Sequence, residues 1–222
     1  MAWLLGSQSK RLPMRNLLFS CLGLAFLALF SACGGGGSDA VKNAKDSNAA
    51  RIDSQATMER PSDTIALSKP DADFLVNAAS GAMLEVNLGR LAETHAANPR
   101  VKDFGAMMVK DHSEGLEKIK HLATRKHVVL PDSVSEHQQK EVNNLEKKKG
   151  GDFDRAYVRL MVSDHKSDIS EFQKQASEGR DSFTRVFASG SLQMLGRHLD
   201  SANSLVSLLG LNRMPAAPAP PH

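Results

Sequence analysis

Apolar residues recur every three or four positions over long stretches of this 222-residue chain, a spacing typical of amphipathic helices. No segment shows the sustained alternation of apolar and polar residues that indicates a strand. The pattern predicts four long helices and a weaker one between the second and the third, which span about 73–96, 99–127, 133–148, 152–178 and 182–209. Four amphipathic helices of similar length favour an all-α bundle over residues 71–210.

The weaker helix, over 133–148, carries few apolar residues, so we expect it to lie mostly in water. About 16 residues of helix cover roughly 24 Å, which is enough to return the chain along most of the bundle. The second and third core helices would then run parallel. A four-helix bundle with one long, partly helical crossover between those two helices has the ferritin-like connectivity.

Local signals predict where the helices begin. Asp71 can cap the first long helix. Asn98 followed by Pro99 is typical of a helix start. Ser133 with Glu136 matches the capping box of the weaker helix. Glycines follow the weaker helix and the last two long helices, where they predict helix ends.

A short motif occurs in both the second and the third long helix. Residues 107–112 read MMVKDH and residues 160–165 read LMVSDH. Each copy places an Asp-His pair inside an apolar helical stripe. Ionisable side chains at core positions cost free energy unless they are paired, hydrogen-bonded or bound to a metal.

Four ionisable residues fall near the middle of the four long helices, each on an apolar face: Glu85, His112, His165 and His198. With a rise of about 1.5 Å per residue, all four reach one level of the bundle. One carboxylate and three imidazoles at one level form a candidate metal site, whose N and O ligands suit Fe, Mn or Zn. A metal-free hydrogen-bonded network that only specifies packing accounts for the same residues equally well.

Asp111 and Asp164 precede two of these histidines. Because neighbours on a helix point about 100° apart, we expect these carboxylates to accept hydrogen bonds from histidine rings of other helices. Direct ligation and simple solvation are the alternatives. Met108, Met161 and Met194 each precede a layer histidine by four residues, so thioether ligation of copper is an alternative to ordinary core packing.

The amino-terminal segment resembles a secretory signal, because three basic residues precede an apolar run over 17–30 that is too short for a comfortable membrane span. The small residues before Cys33 resemble a bacterial lipobox, which implies cleavage there and lipidation of the thiol. An uncleaved anchor helix and cleavage without a lipid are the alternatives. Translation can start at Met1 or Met14, since either leaves the signal intact.

We therefore expect residues 1–33 to be a signal peptide and the mature protein to be anchored to a membrane through Cys33. Gly34 follows, where an acidic residue would retain the protein at the inner membrane, so the pattern favours the periplasmic face of a Gram-negative outer membrane. Residues 34–70 are rich in Ser, Asp, Asn and Ala, which predicts a disordered linker. The Pro/Ala-rich segment 211–222 is expected to be a disordered tail.

Charge and cysteine content exclude several classes of function. The three basic residues of the signal account for the whole formal net charge of +3, so the mature chain lacks the basic footprint of a nucleic-acid binder. Cys21 would leave with the signal and Cys33 would carry lipid. The mature domain then has no thiol for a disulfide, a nucleophile or a metal.

Five stretches resemble a bacterial family of secreted, ferritin-like proteins of unknown function that are often labelled outer membrane proteins. They read DFLVNAASGAMLEVNLGRLA, VKDFGAMMVKDHSEGLEKIKHLA, LP at 130–131, GDFDRAYVRLMVSDHKSDISEFQKQA and LGRHLDSA. The resemblance covers about 70–210 and includes the carboxylates and histidines named above. It implies a ferritin-like fold and an envelope location, but no established activity.

Two functions remain open from the sequence. The first, which fits slightly better, is a membrane-anchored periplasmic lipoprotein whose bundle serves as an interaction or stress-related module, with a protein partner or a second copy of the chain. The second is a metal-binding or redox protein with a divalent Fe, Mn, Zn or Cu ion held by Glu85, His112, His165 and His198. The sequence shows no substrate cleft and no activated nucleophile, so no catalytic residue is assigned.

Overall fold

The computed structural model describes residues 39–56 and 67–212, and most of these residues are helical. The helices are α1 (Ala40–Ala56), α2 (Lys69–His95), α3 (Pro99–Lys126), α4 (Glu136–Glu146), α5 (Gly150–Glu178) and α6 (Ser182–Leu208). No strand occurs in either described range, which confirms the all-α class. Helices α2, α3, α5 and α6 are the four long predicted helices, and α4 is the weaker one.

The start of α2 differs from the sequence prediction. Ser68, not Asp71, is the N-cap, and its side chain accepts a hydrogen bond from the Asp71 backbone N–H. The buried Asp71 carboxylate instead accepts hydrogen bonds from Gln175 near the end of α5 and from Asp181 just before α6. Its Oδ1 accepts from Gln175 Nε2 at 2.7 Å and its Oδ2 accepts from the Asp181 N–H at 3.2 Å. Asp71 therefore ties the start of α2 to the turn between α5 and α6.

Helix α4 also begins later than predicted. Its capping box pairs Ser135 with Gln138, in place of Ser133 with Glu136. Gln138 Oε1 accepts from the Ser80 hydroxyl as well as from the Ser135 N–H, so the cap that starts α4 also docks it on α2. Leu145 is the only residue of α4 that is buried, in agreement with a mostly solvated helix.

Contacts along the bundle define the directions of the helices. Between α3 and α5, the ring centroids of Phe104 and Tyr157 lie 5.9 Å apart, and those of His112 and His165, further along both helices, lie 5.7 Å apart. Helices α3 and α5 therefore run in the same direction. Helix α2 packs most extensively on α3, and α5 on α6. The bundle is thus two antiparallel hairpins whose connection contains α4.

The apolar core falls into two clusters, one on each side of a polar layer. The first cluster includes Phe74, Leu75, Ile119, Phe172, Ala188 and Leu195. The second includes Leu88, Phe104, Met108, Phe153, Tyr157, Met161 and Leu205. Between them lie the buried side chains Glu85, His112, His165 and His198. The ionisable layer is therefore flanked on both sides by hydrophobic packing.

Helices α2 and α3 approach each other most closely at two glycines. A Cβ built on Gly89 would lie 2.6 Å from the carbonyl oxygen of Gly105, and a Cβ on Gly105 would lie 2.6 Å from the Cβ of Ala92. Real Cβ atoms do not approach other atoms so closely, so only glycine fits at either position. Glu85 lies one helical turn before Gly89, and the close approach brings it within reach of α3.

Helix α1 lies inside the segment 34–70, for which composition predicted a disordered linker, and residues 40–56 of that segment are helical. Asn48 is buried, and its side-chain amide exchanges two hydrogen bonds of 2.8 Å with the backbone of Val129. Val41, Ala44 and Ile52 lie on the same face of α1 and pack against the first core cluster. The composition of this segment suggested disorder, but a docking site on the folded bundle supplies the hydrogen bonds and apolar contacts that order it.

Some sequence predictions concern residues outside the described ranges. These are the signal segment over 1–33, the lipidation of Cys33 and most of the tail over 211–222. Within the described ranges, no helix combines the length and the apolar character that crossing a membrane requires.

Candidate metal centre

The polar layer contains one side chain from each of the four long helices. Glu85 of α2 is 1% exposed, His112 of α3 is 4% exposed, His165 of α5 is 0% exposed and His198 of α6 is 1% exposed. Sequence spacing placed these four residues at one level of the bundle, and the structure brings them into direct contact with one another.

The three imidazoles meet through one nitrogen each. Nδ1 of His198 lies 3.3 Å from Nε2 of His112 and 3.3 Å from Nε2 of His165. The three rings also offer ligand atoms within 4.8 Å of one another, with all three residues buried. The three nitrogens therefore converge on one small volume.

The outer nitrogens of two rings have partners that define the position of the ring hydrogen. Nδ1 of His165 lies 3.0 Å from the carbonyl oxygen of Met161, and a carbonyl can only accept. Nε2 of His198 lies 2.9 Å from Oδ2 of Asp111. Both rings therefore donate outward, and their inner nitrogens, 3.3 Å apart, both carry a lone pair and no hydrogen.

Glu85 determines the state of the third ring. Its Oε2 lies 2.6 Å from Nδ1 of His112. Burial, followed by the charge of Asp164, raises the pKa of Glu85 well above its ordinary value, and burial lowers the pKa of His112 to about 4. Both directions favour a protonated Glu85 and a neutral His112 in the metal-free chain. The Glu85 hydroxyl then donates to Nδ1, which leaves the ring hydrogen on Nε2.

A hydrogen on Nε2 of His112 can satisfy only one of the two facing nitrogens. Nδ1 of His198 lies 3.3 Å away and can accept it, so Nε2 of His165 lacks a donor, which costs free energy. Protonating Nε2 of His165 is unfavourable as well, because burial and the neighbouring rings lower the pKa of His165 to about 3. The pKa of His198 is lowered by burial as well. The cluster therefore favours neutral rings with inward lone pairs.

Glu85 contacts two of the rings through different oxygens. The two nitrogens of an imidazole point away from each other, so Oε2, which is hydrogen-bonded to Nδ1 of His112, cannot also lie on an ion bound at Nε2 of that ring. Oε1 of Glu85 lies 3.4 Å from Nε2 of His165 and has no hydrogen-bond partner. Glu85 therefore orients His112 through Oε2, while its Oε1 faces the ring of His165.

The two aspartates of the repeated motif have different surroundings. Asp111 accepts from a histidine of another helix, His198. Asp164 does not: it lies with Glu85 and Asp168 in a separate group whose carboxylate oxygens are within 4.8 Å of one another. Sequence reasoning missed Asp168, although it follows Asp164 by four residues and therefore shares its helix face.

The methionines that suggested copper are divided between the two halves of the core. Met108 and Met161 are fully buried in the second cluster. Met194 packs against the first cluster. Their positions agree with ordinary apolar packing, and the chemistry of the layer is that of imidazole and carboxylate.

Fold and site together define an all-α protein with a buried cluster of imidazoles and carboxylates between two halves of an apolar core. The family model described as Domain of unknown function (DUF4142) matches residues 56–205, and the chain belongs to this family. Nothing among the curated proteins or the solved structures matches the chain.

Proposed function

We propose that this protein binds one divalent transition-metal ion through Nε2 of His112, Nε2 of His165 and Nδ1 of His198. The proposal rests on the 3.3 Å separation between two buried ring nitrogens, Nε2 of His165 and Nδ1 of His198. Each of these nitrogens has a lone pair that faces the other. A cation between them removes their repulsion. The outward hydrogen bonds to Asp111 and Met161 are the kind of contacts that orient metal-binding histidines.

The spacing of the nitrogens supports a tetrahedral ion. Zinc–nitrogen bonds of about 2.0–2.1 Å at tetrahedral angles separate neighbouring nitrogens by about 3.3–3.4 Å. The separations of 3.3 Å from Nδ1 of His198 to Nε2 of His112 and to Nε2 of His165 agree with that value. Three imidazoles suit Zn, Cu or Fe better than Mg or Ca. The fourth position of such an ion is left for water or a small ligand.

The same proposal explains the role of Glu85. When an ion occupies Nε2 of His112, the hydrogen on Nε2 is released to solvent, and the carboxyl hydrogen of Glu85 moves across the 2.6 Å contact to Nδ1, which then donates it to Oε2. The ionised carboxylate then balances part of the metal's charge and keeps the ring in place. Metal binding at His112 is thereby coupled to the transfer of one proton from Glu85 to the ring.

The fold is best described as a ferritin-like bundle. Helices α2 and α3 form one antiparallel hairpin and α5 and α6 form the other, while α3 and α5 run in the same direction. One long connection that contains α4 is what this arrangement requires. Metal sites in bundles of this type are built from inward side chains at mid-height, which is where the three histidines lie.

We place the protein at the periplasmic face of the outer membrane of a Gram-negative bacterium. The support is the signal-like segment and the lipobox-like residues before Cys33. A lipid on Cys33 would anchor the metal-binding bundle at the membrane. The alternative of a purely interacting module has no feature among the described residues as specific as the histidine cluster.

Zinc binding to the full-length protein, produced without a metal-affinity tag, tests the proposal. Competition with a chromophoric chelator should give one high-affinity Zn²⁺ per chain. His165→Ala and His198→Ala should each abolish that binding. His121→Ala removes an exposed histidine of α3 and should bind zinc like the unaltered protein. A folded protein that binds no Zn²⁺, Cu²⁺ or Fe²⁺ and gains no thermal stability from them would overturn the proposal.

A further inference from the structure

Beside the histidines lies a second group of ionisable side chains, two of which the histidine site does not use. Glu85, Asp164 and Asp168 offer carboxylate oxygens within 4.8 Å of one another. Glu85 is 1% exposed, and the two aspartates are partly buried. Glu85 belongs to α2, and both aspartates belong to α5.

Two of these carboxylates have buried oxygens without partners. Oε1 of Glu85 and Oδ2 of Asp164 have essentially no contact with solvent and accept no hydrogen bond. In the part of the chain that the structure describes, no Lys or Arg forms an ion pair with any of the three. A buried carboxylate oxygen is normally hydrogen-bonded, paired or bound to a metal.

A small cavity opens beside the group. It has a volume of ≈ 40 Å³, and its lining includes Glu85, Asp168 and His112, the polar residues Asn77, Glu171 and Ser191, and apolar side chains. A single water needs only about 10–15 Å³ of such volume, so the cavity has room for water beside Glu85 and Asp168.

The charges of the group also favour a cation. Burial, followed by the charges of Glu85, Asp164 and Glu171, raises the pKa of Asp168 well above its ordinary value. Three acids at such short range repel one another when ionised, and a divalent cation among them removes that cost.

We propose that Glu85, Asp164 and Asp168 bind a second divalent cation, of the oxygen-preferring class that includes Mn²⁺, Mg²⁺ and Ca²⁺. The donor set is all carboxylate, which distinguishes it from the all-nitrogen set of the histidines. Glu85 belongs to both groups, since its Oε2 faces His112 while its Oε1 is unpartnered. The second site goes beyond the proposed function and depends on Asp164 and Asp168, which the histidine site does not use.

Mn²⁺ is the probe, because the electron paramagnetic resonance signal of the free ion decreases when it binds. The full-length protein is first saturated with Zn²⁺ and then titrated with Mn²⁺. We expect one additional Mn²⁺ per chain. Asp164→Asn and Asp168→Asn should each weaken Mn²⁺ binding at least tenfold and leave zinc stoichiometry unchanged. The matched control Asp200→Asn changes an exposed aspartate of α6 and should leave both unchanged.

Zinc and manganese binding by the variants test the two proposed sites separately. His198→Ala should lose zinc and keep manganese, whereas Asp168→Asn should lose manganese and keep zinc. Asparagine is isosteric with aspartate and removes repulsion, so the variants should fold, and their circular dichroism should match that of the unaltered protein. Mn²⁺ binding that is absent, or equal in Asp164→Asn, Asp168→Asn and Asp200→Asn, would overturn the second site whatever the zinc result.

Discussion

Nε2 of His165 and Nδ1 of His198 face each other across 3.3 Å in a fully buried layer, and each ring donates its only hydrogen in the opposite direction. Packing alone does not explain this arrangement, because two lone pairs at that distance repel. The arrangement is explained if an ion occupies the volume between them, and it makes predictions about the residues that support it.

Asp111 supports the site through His198, so Asp111→Asn should weaken zinc binding without abolishing it. Contacts of this kind typically change metal affinity by about 10–100-fold. Because an amide can also donate, it no longer imposes the tautomer that frees Nδ1. Competition titration of Zn²⁺ measures the change. Asp103→Asn, an exposed position on the same helix, is the control, and equal affinities for both variants would contradict the role given to Asp111.

The close approach of α2 and α3 predicts that Gly105→Ala destabilises the protein. A Cβ at this position would lie 2.6 Å from the Cβ of Ala92 and 2.8 Å from the carbonyl oxygen of Gly89, so the two helices must separate. Overpacking of this type costs about 1–3 kcal/mol, which denaturant unfolding monitored by circular dichroism would detect.

Gly190→Ala is the matched control for that prediction. A Cβ on Gly190 meets nothing within 4 Å, and alanine is the better helix former by about 0.5–1 kcal/mol. The control should therefore stabilise the protein. If both alanine variants change stability in the same direction, the helix contact at Gly105 is not as tight as described.

The hydrogen bonds to the Asp71 carboxylate predict that the free energy of unfolding decreases in acid. Burial alone would raise its pKa, but the hydrogen bonds from Ser68, Gln175 and the backbone of the α5–α6 turn lower it below the ordinary value of 3.8. A carboxyl whose pKa is depressed on folding stabilises the protein fully above its unfolded pKa, and this contribution is lost as the pH falls through the folded value.

Asp71→Asn should accordingly destabilise the protein by about 1–3 kcal/mol at pH 7. The difference from the unaltered protein should shrink as the pH falls below the ordinary carboxyl range. Urea unfolding at a series of pH values measures both effects. A difference that stays constant down to pH 2 would contradict the charge-assisted role of Asp71.

The docking of α1 depends on Asn48, so Asn48→Ala should release α1 while leaving the rest of the bundle folded. The variant leaves the backbone N–H and carbonyl of Val129 without the partners they have in the structure. Hydrogen exchange should become faster over 40–56, since a locally unfolding segment loses protection before the core does. Ser47→Ala changes an exposed neighbour and should keep the protection of the unaltered protein.

Sequence periodicity could predict the four long helices and the level of the site, because both depend on spacing along single helices. Glu85, His112, His165 and His198 each lie on an apolar stripe near mid-helix, and that is a local property. The sequence could not predict which atoms of these side chains contact one another. Whether Glu85 binds an ion or orients His112 depends on which atoms of α2 and α3 meet. Those contacts depend on how closely the two helices pack at Gly89 and Gly105.

Other differences have the same physical origin. Helix α1 gains its order from Val129, which is distant in sequence, so a reading of composition predicted a linker instead. Asp71 was expected as a cap because it is acidic and precedes an apolar run. Ser68 is the cap instead, and the Asp71 carboxylate accepts hydrogen bonds from the backbone of the α5–α6 turn. Sequence analysis gave Asp168 no role, because its proximity to Glu85 depends on how α5 packs against α2.

Anomalous diffraction from crystals of the zinc-loaded protein, collected at the zinc absorption edge, would locate the ion. A three-histidine site gives a single strong peak at about 2.0–2.1 Å from Nε2 of His112, Nε2 of His165 and Nδ1 of His198. A zinc-soaked crystal with no peak at this point, in which the three rings instead contact one another through hydrogen bonds, would contradict it.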